Sequence, residues 1–247
     1  PFVKQLVNYS CKIIKDKKEQ EKTLSLKFVD DRLLSMPPVA LMQVKKEMDY
    51  MFALVEENIS LSFDAMETEK LVSNEKIEAN EAVIDFTNGA LTRFLIKLSS
   101  MVEQSDELVI GSYFHVLNDL ERVGDHAENF YEIVAEMSSK NLNFSEKGRN
   151  DIKAMSDKVM QMLVISKDAF DNLNKAELSM LDVFEEEIDA MKKELTASHF
   201  SRLAEGDCSM EVSPYYSSTI AGLERVADHL INVGYSIVNP IGSQKEV

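Results

Sequence analysis

Apolar residues recur at mixed three- and four-residue spacing from Met36 onward, with Val39, Met42, Val44, Met48, Met51, Leu54 and Val55 opening the pattern. That period is helical. Pro37 and Pro38 suit a first helical turn, where an amide hydrogen has no partner to lose. Continued along the chain, the pattern predicts six helices near 37–67, 72–100, 106–138, 145–173, 176–204 and 214–239. The breaks fall at Ser73-Asn74, Gln104 to Asp106, Asn141 to Ser145, Asn172 to Asn174 and Glu205 to Asp207, each a cluster of turn or cap residues. Helices of nearly thirty residues far exceed the globular mean of about a dozen and belong to elongated bundles. The expected fold class is all-α.

The same stretch repeats itself. LERVGDHAENF begins at Leu120 and LERVADHLINV at Leu223, an offset of 103. Upstream, Glu81-Ala-Val-Ile-Asp85 is matched by Glu185-Glu-Glu-Ile-Asp189, an offset of 104. Two motifs that keep their order, spacing and chemistry mark an internal duplication. The chain therefore divides into two tandem three-helix bundles of long antiparallel helices, 36–140 and 141–240. A linker covers 1–35 and a tail covers 241–247.

A four-residue step keeps side chains on one helix face. Glu81 stacks on Asp85, Glu121 on Asp125, Glu185 on Asp189 and Glu224 on Asp228. One turn before each Glu stands an apolar residue: Ile77, Leu117, Leu181 and Ile220. Each carboxylate pair thus continues a row that a bundle buries, and a carboxylate there is costly unless paired or metal-bound. A lone Glu-x-x-x-Asp is ordinarily a surface pair with a neighbour such as Arg122 or Arg225. Four pairs at matched repeat positions favour a site. Oxygen-rich clusters suit hard cations such as Mg, Mn, Ca or ferric iron better than zinc. Gly124 and Ala227 lie between Glu and Asp on the third helices, where small residues admit a close neighbour. His126 and His229 follow each Asp but sit about 100° around the helix, so an interface or capping role competes with ligation. Asn129 and Asn232 lie one turn beyond Asp on the same face and are candidate auxiliary oxygen donors.

Composition narrows the classes. The formal charge of −16 argues against a nucleic-acid backbone as partner. Cys11 and Cys208 have no zinc or redox spacing and point to a reducing compartment. No run of 18 apolar residues exists to span a membrane. The opening segment turns from apolar to basic, with Lys4, Lys12, Lys15, Lys17 and Lys18, as chain does on leaving a bilayer on the cytoplasmic side; a solvated linker explains it equally well. A start at Pro1 suggests a fragment. No phosphate-binding glycine loop, nucleophile elbow or Glu-x-x-His di-iron signature occurs, so no catalytic residue is expected.

LERVGDHAENF and LERVADHLINV resemble the third-helix motif of the PhoU family of bacterial phosphate-signalling regulators. The resemblance implies a duplicated three-helix bundle and a non-enzymatic role. It also implies multinuclear metal clusters, often iron, held at the bundle surfaces by Glu81, Asp85, Glu121, Asp125, Glu185, Asp189, Glu224 and Asp228. Leu230 and Ile231 replace Ala127 and Glu128 of the first unit, which leaves the second cluster fewer ligands. DDRLLSMPPVALMQVKKE, from Asp30, is similar to the junction in bacterial sodium-dependent phosphate symporters of the type II family, which carry a PhoU-like domain after their membrane half. The leading expectation is therefore a regulatory domain at the cytoplasmic face of the membrane, with the transmembrane portion upstream in the same chain. The alternative is a freestanding PhoU-like adaptor acting on an ABC phosphate transporter and a sensor kinase. Inorganic phosphate at the metals and a homodimer are further expectations.

Overall fold

The computed structural model describes residues 24–71, 74–172, 175–236 and 238. The basic opening segment, Cys11 and the tail lie outside them. Among the described residues there are six α-helices: α1 (Pro37–Thr68), α2 (Asn74–Ser99), α3 (Gln104–Ser139), α4 (Glu146–Asn172), α5 (Lys175–Glu205) and α6 (Ser213–Tyr235). There is no strand among the described residues. The ends agree with the sequence reading within a few residues, apart from α6, which ends at Tyr235 rather than 239.

The buried row of α1 runs Ala40, Val44, Met48, Met51, Val55 and Ile59, stepping by four and three. Met42, expected in this row, is 63% exposed. It stands two residues, about 200°, from both Ala40 and Val44 and so faces away from the core. Pro37 opens the helix, and Glu69 ends it in the left-handed region at φ 54°. The Glu69 carboxylate then accepts from the Phe144 amide at 3.0 Å and from Arg149 at 2.9 Å, tying the end of α1 to the start of α4. At the same end of the second bundle, Gly206 takes φ 81° and stops α5, a geometry that glycine adopts without strain.

Helices α1, α2 and α3 pack together, as do α4, α5 and α6. The two bundles meet along α3 with α6 and along α1 with α4. Gly222 on α6 makes the first contact close, since a Cβ there would stand 2.6 Å from the Phe130 ring. The second is laced by charge. Lys45 bridges Asp49 at 2.6 Å and Asp171 at 2.5 Å, and Lys167 reaches Asp49 at 3.1 Å and also Asp171.

The described part of the expected linker is docked. A 3-10 turn at Asp31–Ser35 is capped by Asp30, whose side chain accepts from the Arg32 amide. Val29 is buried, the Phe28 amide donates to buried Glu47 at 2.7 Å, and Lys97 bridges Asp31 at 2.8 Å. These contacts hold the strap against α1 and α2.

Candidate metal centre

Ile77, Leu117, Leu181 and Ile220 are all buried at the level of the core, as the apolar rows require. From there each row climbs outward. On α2 the step passes from buried Ile77 to Glu81, 7% exposed, and then to exposed Asp85. On α3 it passes from Leu117 to half-buried Glu121 and Asp125. The carboxylates therefore occupy the lip of the bundle, where a bound ion has protein on one side and solvent on the other.

In the first bundle, oxygen atoms of Glu81, Asp85 and Asp125 lie within 4.8 Å of one another. Neither carboxylate oxygen of Glu81 has a hydrogen-bond partner. Gly124 makes room for it, since a Cβ at that position would stand 2.9 Å from Oε2 of Glu81. Burial pushes the Glu81 carboxyl up to about 8, and the negative charges of Asp85, Asp125, Glu128 and Glu121 add to the rise. Burial raises Asp85, Glu121 and Glu128 as well, with Asp125 contributing to each. The cationic group beside them is Arg122, 3.7 Å from Glu121 and 3.6 Å from Asp125. Glu121 stands outside the tight trio, at its edge. Glu128 lies outside the expected set of eight and enters the sequence reading only through its replacement by Ile231 in the second unit. Its signal was the spacing Glu121, Asp125, Glu128 on one face of α3.

The donor set fits a hard cation. All three converging groups are oxygens, and the innermost is orphaned in a place where an uncompensated charge is costly. Glu81, Asp85 and Asp125 would hold the ion, with Glu121 and Glu128 in reserve at the rim. The bound ion would supply positive charge and exchangeable positions facing solvent.

The second bundle differs. Among the described residues, Glu185, Asp189, Glu224 and Asp228 form no trio of the same tightness. Burial raises the Asp228 carboxyl, and Glu224, Asp189 and Glu185 raise it further, so the four still share one neighbourhood. Glu224 receives Lys192 at 2.7 Å. Glu185 is less buried than Glu81, and Ala227 stands where the first bundle has Gly124.

The two histidines belong to the bundle interface. His229 Nδ1 is 2.8 Å from Asp119, and the His126 and His229 rings lie 6.1 Å apart between α3 and α6. Burial, then His229, pushes the His126 imidazole below its ordinary value. Asn129 is exposed and lines a groove of about 550 Å³ between α3 and α6, whose lining includes none of Glu81, Asp85 and Asp125. Asn232 is half-buried on α6.

No described helix is long and apolar enough to cross a membrane. The PhoU domain family matches residues 48–134 and 152–237, one match for each bundle. The chain belongs to the PhoU family. Its duplication is thus the PhoU repeat, found independently by sequence and by packing. The "Phosphate-specific transport system accessory protein PhoU homolog 1" of Thermotoga maritima is 24% identical over 202 residues, covering 79% of this chain and 84% of that protein. The crystal structure of PhoU from Pseudomonas aeruginosa superposes with a TM-score of 0.75 at 17% identity, over 81% of this chain and 96% of that one. The phosphate transport system regulatory protein PhoU from Streptococcus pneumoniae gives 0.72 at 20% identity, over 83% and 96%. These likenesses establish the PhoU fold of two tandem helical bundles.

Proposed function

We propose that this chain is a regulator of phosphate uptake in the manner of a freestanding PhoU adaptor. It would act at the cytoplasmic side on a phosphate transporter of the ABC class and its sensor kinase, and carry a hard cation on its first bundle. The family and the phosphate-transport names of its relatives support the regulatory part. They favour the adaptor over attachment to a sodium/phosphate symporter, because the relatives are named as PhoU proteins.

One observation carries the metal part. Glu81 is buried with both oxygens unpartnered, and it converges with Asp85 and Asp125. Desolvated carboxylates in that arrangement need a proton or a cation, and several of them together recruit the cation. Iron, Mn, Mg and Ca are all compatible occupants, since a carboxylate-only donor set suits hard cations. Exposed Asp85 leaves one side of the ion open to an anionic oxygen, so inorganic phosphate could read the metal's state. A homodimer would present the first-bundle lips to partners in pairs. The role is regulatory rather than catalytic.

Elemental analysis of purified protein tests the metal site. Wild type is expected to hold metal, and Glu81→Gln together with Asp125→Ala to lose it. Equal, near-zero metal in both would remove the site.

A further inference from the structure

The repeat permits a residue-by-residue comparison of the two carboxylate centres, and it shows that they are not electrostatic equals. With the 104-residue offset, Asn88 and Gly89 of α2 correspond to Lys192 and Lys193 of α5. With the 103-residue offset, Glu128 of α3 corresponds to Ile231 of α6. The first centre therefore gathers five carboxylates, Glu81, Asp85, Glu121, Asp125 and Glu128, around a single guanidinium, Arg122. The second has four, with two ammonium groups and a guanidinium beside them. Lys192 is 2.7 Å from Oε1 of Glu224, Lys193 is 4.0 Å from Asp189, and Arg225 is 3.9 Å from Glu224.

We infer that Lys192 is a built-in cation for the second bundle, so that the chain carries one metal-ready centre and one that is neutralised from within. The inference rests on the metal reading of the first centre for its contrast, but the role of Lys192 is separable from it. The Glu224 side chain is only 15% exposed, so its charge is poorly screened and needs a close counterion. Lys192 provides one through a contact of hydrogen-bond length. A metal ion at Glu224 would have to displace that ammonium or sit beside it. Displacement costs the ion pair, and cohabitation sets two cations against each other in a partly desolvated place. Ile231 removes the carboxylate that would offset this cost. In the first bundle no ammonium competes, because the residue at the Lys192 position is Asn88, which is neutral, and Arg122 stays 3.6 Å from Asp125 without reaching hydrogen-bond length. Duplication supplied two acidic lips, and the Asn88/Lys192 difference, reinforced by Glu128/Ile231, assigns them different work: one binds an exchangeable ion, and the other is locked at fixed charge.

The test uses chelator-stripped full-length chain and Mn²⁺, read by equilibrium dialysis and by electron paramagnetic resonance. Glu81→Gln silences the first centre and serves as the background. Adding Lys192→Asn is expected to create a further Mn²⁺ site, tighter than residual binding in the background by roughly tenfold or more. Further Asp228→Asn is expected to abolish that gain. Lys192→Gln repeats the experiment with a longer side chain, and thermal melts establish that each variant is folded. No gain from either Lys192 variant overturns the inference. So does Mn²⁺ binding in the Glu81→Gln background with Lys192 intact if Asp228→Asn removes it, because the second centre would then accept metal unaided. Failure of the first-bundle site has a different signature: wild type and Glu81→Gln would bind Mn²⁺ alike, while the Lys192 comparison would still be read on its own terms.

Discussion

Gly124 on α3 and Glu81 on α2 are matched in space: a Cβ on the glycine would come to 2.9 Å from Oε2 of the glutamate. Gly124→Ala should therefore separate stability from metal binding. Alanine favours the helix by about 1 kcal/mol over glycine, which offsets much of the steric cost when Glu81 moves aside. The displaced carboxylate would leave the trio with Asp85 and Asp125. Metal retention is expected to fall about tenfold or more while the metal-free melting temperature stays near wild type. Dialysis against Mn²⁺ and calorimetry on one preparation check both halves.

The elevated Glu81 carboxyl gives the metal-free protein a defined pH dependence. Its folded value, about 8, lies above the ordinary 4.5. The folded state therefore holds a proton that the unfolded chain has lost, and stability falls as pH rises through that window and levels above it. The loss is on the order of a few kcal/mol at most. Asp85, Glu121 and Glu128 are raised too and push in the same direction. Urea denaturation in chelator from pH 5 to 9 should show this slope. Glu81→Gln should flatten much of it, and Mn²⁺ should reverse it in wild type. A flat profile in metal-free wild type contradicts the burial argument.

Much of this was written in the sequence, because helical period and repeat are local properties. Ile77, Leu117, Leu181 and Ile220 announced the rows on which the carboxylates sit, and the structure buries all four. Spacing alone could not reveal where each row leaves the core. Glu81 and Asp85 are one turn apart, yet one is buried and the other exposed, since that depends on where α3 crosses α2. The difference between the centres was half legible. Ile231 in place of Glu128 was visible in the repeat. The ion pair of Lys192 with Glu224 joins two helices and required the packing. Met42 went astray because an apolar residue counts toward a pattern whichever way it points.

A second network was invisible to motif reading. Arg202 on α5 is 6% exposed and lies 3.0 Å from Asp151 on α4, which also accepts the Tyr216 hydroxyl of α6 at 3.0 Å. His199 stacks on Tyr216 with centroids 4.4 Å apart and contacts the Ser213 hydroxyl at 2.8 Å. These partners span 65 residues, so no local pattern joins them. Asp151→Ala leaves a buried guanidinium without its carboxylate and should cost about 3–5 kcal/mol. Asp151→Ala with Arg202→Met should recover a good part of that loss. Chemical denaturation of the two single variants and the double measures the coupling, and additive losses would show that the pair is not a unit.

The contact between bundles yields the last prediction. Gly222 lets α6 approach α3 until a Cβ would stand 2.6 Å from the Phe130 ring, and Phe130 is itself 1% exposed and packed 5.9 Å from Phe63. His126 also stacks on the ring at 6.3 Å, so any shift of Phe130 disturbs two aromatic contacts. Gly222→Val must therefore push the helices apart, at a cost of about 1–3 kcal/mol or more for overpacking. The separation should also strain the Asp119–His229 bond, 2.8 Å long across the same interface. The first-bundle carboxylates lie on the α2–α3 lip and should keep their Mn²⁺ affinity. Amide exchange should accelerate in α3 and α6 around the contact and stay near wild type in α2. Loss of metal binding along with the interface would mean that the two bundles are coupled through α3, which would make the Phe130 contact a route between them.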